Sequence, residues 1–193
     1  MTFLPPDVRN ALKRQAPKAL RKGLEKEARK KFNQIKSEMI EEFLLNPVTQ
    51  EILQGPKGAN ISGSLGGTSN LFAFIGFNQG EEPIAPILES LRNVSFEYIG
   101  KSTGTKLGVK FRVNLPLPED IFAMTPLPWA TGRSWAEGIE RGLSGLGFLL
   151  KKNQGRSGAA VQSRVKVRAG RFQNRPYISS FLRKYKKRFR ELT

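Results

Sequence analysis

Three pairs of adjacent carboxylates are the residues of this sequence best suited to holding a metal ion. They are Glu41-Glu42, Glu81-Glu82 and Glu119-Asp120. A magnesium-dependent nuclease requires acidic side chains that converge from separate elements, whereas neighbouring carboxylates on one helix or strand point apart. We therefore interpret the three pairs as solvated surface or helix caps, and we predict no metal site.

Nucleophilic catalysis has little support in the sequence. The chain contains neither histidine nor cysteine, which excludes Ser-His and Cys-His mechanisms. Ser163 and Lys166 have the Ser-x-x-Lys spacing, but the alternating pattern around them predicts a strand that places the two side chains on opposite faces. The tripeptide Gly100-Lys101-Ser102 imitates the end of a phosphate-binding loop, yet Ser95 stands where that motif needs its first glycine. We predict no catalytic residue, no cofactor and no enzymatic activity.

Length and composition favour a single α+β domain of 193 residues. The 19 glycines and 12 prolines divide the chain into short elements joined by turns, which argues against a plain helical bundle. We expect a long N-terminal helix, a small antiparallel or mixed sheet and a basic amphipathic C-terminal helix. Within this domain we distinguish an N-terminal helical part (residues 1–54), a Gly/Ser loop (55–70), a neutral strand-rich body (71–150) and a basic strand plus C-terminal helix (151–193).

Two further expectations concern the environment of the chain. The absence of cysteine fits a reducing compartment or indifference to redox conditions. The most apolar runs, residues 71–77 and 143–150, are much shorter than the roughly 20 residues that cross a bilayer. The first residues also lack the order of charged and apolar residues typical of a signal peptide. We expect no membrane span.

The net charge of +17 is unevenly distributed along the chain. Residues 1–50 carry 11 basic and 6 acidic side chains, residues 51–150 carry 8 and 9, and residues 151–193 carry 14 and 1. A near-neutral body therefore lies between two basic ends. So large a positive charge favours a polyanionic partner.

A long helix is predicted from Pro17 to about Leu45, after a first N-cap pattern at Pro5-Pro6-Asp7. Its apolar residues recur every three or four positions on one slowly drifting stripe, which must face a core or a partner. The residues that we assign to packing against another subunit are Leu20, Leu24, Phe32, Ile35, Met39 and Phe43. The opposite face is basic early and acidic late, an order that opposes the helix dipole at both ends.

Turn signals and residue alternation predict the remaining elements. They are short helices at 46–53 and 83–91 and one from residue 134, a helical turn around Ile121, a buried strand at 71–77, a hairpin of residues 94–98 and 107–113, a strand at 161–167 and an amphipathic helix from residue 178. Leu71–Phe77 is interpreted as a strand because it is apolar on both faces. Residues 58–67 are interpreted as a plain loop, with a backbone nest for an anion as the alternative.

The basic C-terminal segment is the strongest functional signal. The residues that we assign to binding a polyanion or a partner are Arg164, Lys166, Arg168, Arg171, Arg183, Lys184, Lys186, Lys187, Arg188 and Arg190. We favour nucleic acid as the partner, with contacts to phosphates that weaken steeply with salt, because no base-reading motif is present. The alternatives are a solubilising surface, an acidic protein partner and an anionic membrane surface.

Two short segments give the sequence a resemblance to a known family. They are Ser62-Gly63-Ser64-Leu65, after the first helix, and Arg175-Pro176-Tyr177-Ile178, before the last one. With the basic helix near the start, the Gly/Ser loop and the strands between, the chain resembles the tail-completion (neck) proteins of long-tailed bacteriophages.

The resemblance implies a non-enzymatic role in the virion, in the neck or tail, after assembly in the host cytoplasm. Such proteins form a homo-oligomeric ring, with six subunits as one candidate number, that bridges the head connector and the tail proteins and encloses DNA. The alternative from the residues alone is a sequence-nonspecific nucleic-acid-binding protein that contacts phosphates through its basic C-terminal segment.

Overall fold

Helices account for most of the regular structure. The computed structural model describes residues 5–65, 70–101, 109–142, 150–152, 160–162 and 172–192. In these ranges the α-helices are α1 Pro6–Leu45, α2 Pro47–Leu53, α3 Leu71–Ile75, α4 Ala85–Arg92, α5 Pro118–Ala123, α6 Trp135–Arg141 and α7 Ile178–Arg190. A single 3-10 turn, Gly55–Lys57, follows α2.

The first helix is one continuous element of 40 residues. The prediction that the long helix begins only after Pro17 is therefore wrong. A proline inside a helix removes one hydrogen bond and can bend the axis, but the helix can continue on both sides of it. The predicted end at Leu45 is confirmed, and Asn46 begins the next helix by accepting a hydrogen bond from the Val48 N–H at 2.9 Å.

The run from Leu71 to Phe77, predicted to be a buried strand, forms helix α3 instead. The Asn70 side chain caps it by accepting a hydrogen bond from the Ala73 N–H at 2.9 Å, and Gly76 ends it in the left-handed region at φ 90°. Periodicity cannot separate a short buried helix from a buried strand, because both are apolar all round. Asn70 and Gly76, the residues that cap the two ends of α3, were the signal in the sequence that favoured a helix.

The strands form three separate two-stranded pairs. They are β1 Ser95–Lys101 with β2 Val109–Asn114, β3 Pro126–Leu127 with β4 Ala130–Ser134, and β5 Leu150–Lys152 with β6 Ala160–Gln162. All three pairs are antiparallel, so the described strands include no mixed sheet. The predicted hairpin is confirmed as β1–β2, in which Phe96 pairs with Val113 and Tyr98 with Phe111. Of the strand predicted at 161–167, only residues 161–162 lie in the described part of the chain.

The hydrophobic core lies between α1, α7 and the elements of residues 48–139. Its largest fully buried side chains are aromatic: Trp135, Tyr177, Tyr185 and Phe43. The helices predicted near residues 83–91, 121, 134 and 178 are all present, and Ser134 caps α6 by accepting a hydrogen bond from the Glu137 N–H at 3.1 Å. Long helix, small antiparallel pairs and C-terminal helix together make an α+β fold, as predicted.

Candidate polyanion and partner interface

The C-terminal helix α7 is amphipathic in the way its spacing predicted. Its buried side chains are Ile178, Phe181, Leu182, Tyr185 and Phe189. The helix begins without a side-chain cap of its own, and the Glu140 carboxylate of α6 takes that place. It accepts hydrogen bonds from the Ser179 N–H and the Ser179 hydroxyl, both at 2.5 Å. A carboxylate at a helix N-terminus also interacts favourably with the helix dipole.

Aromatic contacts fix the orientation of α7 against α1. Near the start of α7 the ring of Phe43 lies 6.1 Å from that of Tyr177 and 5.8 Å from that of Phe181. Near its end, the ring centroids of Phe189 and Phe32 are 5.5 Å apart. The two helices are therefore antiparallel, and the last turn of α7 lies beside residues 29–32 of α1.

Two ion pairs join the helices along this contact. The Lys184 ammonium donates to both oxygens of the Glu42 carboxylate, at 2.8 and 2.6 Å, and Arg188 donates to Glu38. The Tyr185 hydroxyl also donates to Glu42, at 2.7 Å. Acidic residues in the last turns of α1 interact unfavourably with the dipole of that helix. The ion pairs with the basic helix α7 compensate for this interaction.

The pKa shifts of Glu38, Glu42 and Tyr185 have the directions that these contacts predict. The hydrogen bond from Arg188 holds the pKa of Glu38 below its ordinary value of 4.5. Burial raises the pKa of Glu42, but the hydrogen bonds from Lys184 and Tyr185 outweigh that effect and lower the pKa overall. Burial, together with the hydrogen bond to Glu42, raises the pKa of Tyr185 above its ordinary value, so this hydroxyl remains a donor.

The structure divides the residues predicted to bind a polyanion into three groups. Arg164, Lys166, Arg168 and Arg171 lie outside the described residues. Lys184 and Arg188 form ion pairs within the chain, with Glu42 and Glu38, that the sequence did not predict. Arg183, Lys186, Lys187 and Arg190 are exposed on the outer face of α7.

The exposed cations in the last turn of α7 lie at the same end of the α1–α7 pair as exposed cations of α1 that the prediction had not assigned to the site. Because the helices are antiparallel, the last turn of α7 brings its charges beside the exposed early face of α1. We call this surface the basic end, and it comprises Arg29, Lys30 and Lys31 of α1 with Lys186, Lys187 and Arg190 of α7. The Arg29 guanidinium lies 5.2 Å above the Phe96 ring, which adds a cation–π contact to the surface. The basic early face of α1 was visible in the sequence, but its proximity to α7 was not.

The residues predicted to pack against another subunit are mostly used inside the chain. Phe32, Met39 and Phe43 are 4%, 0% and 1% exposed, and Ile35 packs partly buried against the same core. Phe32, Met39 and Phe43 are therefore not available to a second copy, because α7, β1 and α4 cover this part of the stripe. Leu24 remains 43% exposed, and the side chain of Leu20 lies outside the described part.

The two segments that carry the family resemblance contact each other. The Gln173 N–H donates to the Ser64 carbonyl at 2.9 Å, and the Arg175 guanidinium donates to the Gly63 carbonyl at 3.0 Å. Gly63 has φ 66°, and a Cβ there would lie 2.7 Å from the Arg175 guanidinium. The loop segment 62–65 and the segment that leads into α7 thus form one structural unit.

Glu51, a buried residue that the sequence did not single out, anchors the same loop. Its carboxylate is fully buried and accepts hydrogen bonds from the Ser62 N–H at 2.8 Å and the Leu71 N–H at 2.7 Å. Its neighbour Thr49 shares a 2.9 Å hydrogen bond with the buried Tyr177 hydroxyl. The only signal for this role was an acidic residue among the inward-facing positions of a short helix.

The three pairs of adjacent carboxylates do not converge. Among the described residues, no three acidic side chains are close enough to hold a metal ion. Asp120 caps α5 by accepting a hydrogen bond from the Leu117 N–H at 2.8 Å, and Glu42 takes part in the ion pair with Lys184. Glu81 accepts a hydrogen bond from the Asn78 amide.

Comparison with known proteins does not assign the chain to a family. No protein-family model, curated protein or solved structure matches the chain. None of the helices in the described ranges combines the length and the apolar character that a bilayer crossing demands.

Proposed function

We propose that this chain is a non-enzymatic structural protein of the phage neck or tail, which forms a ring that joins the head connector to the tail and surrounds DNA. In this role it acts through surfaces: one for its own copies, others for connector and tail proteins, and a basic one for DNA. Six subunits are the candidate number for the ring, and the virion is its location.

The basic end carries the proposal. Its cations are exposed, whereas the acidic turns of α1 are covered by Lys184 and Arg188, so positive charge is concentrated at one end of the α1–α7 pair. A surface of this kind suits a phosphate backbone held at a channel wall, where contacts need no sequence preference. The resemblance supplies the specific role, and its two segments lie together in the fold, where the Arg175 guanidinium donates to the Gly63 carbonyl.

Native mass spectrometry and negative-stain electron microscopy of the full chain at high concentration test the ring. We expect one closed species of defined stoichiometry that assembles on isolated head connectors. A strict monomer that does not associate with connectors contradicts the proposal.

The second candidate is a sequence-nonspecific nucleic-acid-binding protein. The same exposed cations favour it, since Lys186 and Lys187 make no ion pair in the described part of the chain. A monomer that binds duplex DNA tightly, with affinity falling steeply as salt rises, supports this candidate over the ring.

A further inference from the structure

The first part of α1 presents its described side chains at the surface. We call residues 6–27 the arm. Its described side chains, at positions 7, 8, 10 and 22–27, are exposed apart from the half-buried Glu25, and Ala28 is the first of the described side chains of α1 that is buried. Two apolar side chains of the arm, Val8 and Leu24, are 42% and 43% exposed.

A helical arm of this kind is marginal without a partner. Its 22 residues span about 33 Å, and helices in water gain most of their stability from packing of an apolar face. The helix passes through Pro17, which has no N–H to donate, and Gly23, where an added Cβ would meet nothing within 4 Å. Both residues weaken an isolated helix, so packing must supply the missing stability.

The arm is also strongly basic. Residues 6–27 contain seven basic and three acidic side chains, and the stretch from 8 to 24 has six basic residues and no acidic one. A binding surface complementary to the arm must therefore be apolar in its floor, for the exposed apolar side chains, and acidic at its rim, for the basic ones.

A groove at the other end of the molecule has this character. We call it the α2–α4 groove; it has a volume of about 420 Å³ and an apolar floor that includes Ile52, Phe72 and Ile84. Leu53 at its edge is 52% exposed. The charged residues that line it are Glu81 and Glu82, both exposed, and no basic residue of the described ranges lines it.

A second acidic cleft in the described part of the chain is less suitable. It lies at the end of α1 beside Glu38, Glu41 and Glu42, but Arg188 and Lys184 already neutralise two of these carboxylates. The rim of the α2–α4 groove has no comparable ion pair among the described residues. A nucleic acid is excluded as its occupant, because Glu81 and Glu82 repel phosphates.

The arm cannot reach the groove of its own chain. Helix α2 begins directly after α1 ends, and the 22 residues of helix from Leu24 to Leu45 span about 33 Å. A contact between arm and groove must therefore join two copies. Since the two surfaces differ, the contact is head-to-tail, the type that generates a ring when the rotation closes.

We propose that the arm of one copy binds the α2–α4 groove of the next copy, with the arm's apolar side chains on the groove floor and its basic side chains beside Glu81 and Glu82. This inference rests on the proposed ring and names the surfaces that build it. The charged side chains that it brings together, Lys22 and Lys26 with Glu81 and Glu82, are exposed in the single chain.

Charge reversal in the full-length chain tests the contact. Glu81→Lys/Glu82→Lys and Lys22→Glu/Lys26→Glu are each expected to raise the dissociation constant of the assembly at least about tenfold, measured by sedimentation velocity and native mass spectrometry. The four changes combined in one chain restore opposite charges across the contact and are expected to recover assembly. Glu41→Lys/Glu119→Lys, an equal charge change away from the groove, serves as the control and should assemble like the wild type.

Circular dichroism and thermal melting of each variant separate misfolding from loss of contact, since a folded, non-assembling reversal supports the proposal. A second measurement uses the absence of cysteine from the chain: Leu24→Cys mixed with Leu53→Cys should give a disulfide-linked pair, whereas Leu24→Cys mixed with Leu117→Cys should not.

The failures of the two proposals can be distinguished. If rings form but both reversals and the cysteine pairing leave them unaffected, the arm–groove contact is wrong and the ring stands. If Lys22→Glu/Lys26→Glu weakens DNA binding without changing assembly, the arm is a nucleic-acid contact and this inference is overturned. If the wild-type chain is monomeric, both proposals fail.

Discussion

At the scale of single residues, Glu51 is the one charged side chain that is buried in the described ranges. Its two carboxylate oxygens accept the N–H groups of Ser62 and Leu71, and so tie both sides of the Gly/Ser loop to α2. Backbone N–H groups buried without an acceptor are costly, because water cannot replace the lost partner. The position of this loop therefore depends on one side chain.

Replacing Glu51 by alanine should destabilise the fold by about 3 kcal/mol, since two buried N–H groups lose their acceptor. Glu51→Gln keeps one acceptor oxygen and should cost about 1 kcal/mol. Urea denaturation followed by circular dichroism measures both changes. Glu41→Ala, an exposed acidic residue of α1, is the control and should lie within about 0.5 kcal/mol of the wild type. Equal stability of the Glu51→Ala and Glu41→Ala variants would contradict the anchoring role.

Gly63 and Gly55 have nearly equal φ values. A comparison of the two therefore measures how much the contact between Gly63 and Arg175 contributes to stability. Gly63→Ala and Gly55→Ala both place a Cβ at positive φ, 66° and 69°, which costs about 1 kcal/mol in each case. Only the Cβ at 63 meets a neighbour, the Arg175 guanidinium. We therefore expect Gly63→Ala to be the more destabilising in urea denaturation. The difference between the two variants should disappear in an Arg175→Ala background, and its persistence there would rule out the contact as its cause.

At the scale of elements, the α1–α7 pair shows how a locally unfavourable sequence becomes favourable in the fold. Glu38 and Glu42 stand near the C-terminus of α1, where the helix dipole disfavours negative charge. Arg188 and Lys184 neutralise them from the antiparallel helix. These pairs are half-exposed, so each makes a modest contribution, and the aromatic contacts between the helices hold the pair together.

The pH dependence of stability tests these ion pairs. Both carboxyl groups have a pKa below the ordinary value of 4.5 in the folded chain, so their stabilising effect is fully present above that value and is lost as the pH falls through the folded pKa. Glu38→Gln/Glu42→Gln should therefore lose less stability than the wild type when thermal melting is followed from about pH 6 to about pH 3. Glu41→Gln, which removes an exposed carboxylate of the same helix, is the matched control and should retain the wild-type slope. Parallel pH profiles for the double variant and the wild type would contradict the assignment.

At the scale of the whole molecule, the charge is separated along the α1–α7 pair. The basic end combines residues that are about 160 positions apart in the chain, and the α2–α4 groove with its acidic rim is lined by α2, which follows the opposite end of α1. A molecule with distinct positive and negative ends is suited to head-to-tail association and to orientation around a polyanion.

The basic end predicts a specific change in DNA binding. Lys186→Ala/Lys187→Ala should lower the slope of log affinity against log salt by about 1 to 2, because each lost phosphate contact removes about 0.9 from that slope. Fluorescence anisotropy with a short duplex at several salt concentrations measures it. Lys57→Ala, an exposed lysine away from the basic end, should leave the slope unchanged. Equal slopes for all three proteins would show that α7 does not contact DNA.

Much of the fold could be predicted from local patterns. The spacing of Ile178, Phe181, Leu182, Tyr185 and Phe189 predicted α7 and its buried face, and the alternation around Phe96 and Phe111 predicted the hairpin. The strand predicted at 71–77 was wrong, because an all-round apolar run is compatible with either buried element. The ion pairs of Lys184 and Arg188 could not be predicted for a related reason: a charge pattern shows which residues are polar, but not which opposite charge will face them.

The amino-acid sequence by itself determined the α+β class, the long and the final helix, and the concentration of positive charge at the two ends of the chain, because periodicity, caps and charge are properties of neighbouring residues. Only the tertiary structure decided which charges are neutralised, which apolar residues of α1 stay exposed, and that Glu51 and Arg175 hold one loop. These features join residues that are 11, 112 and 150 positions apart in the chain. Their proximity depends on how the helices pack.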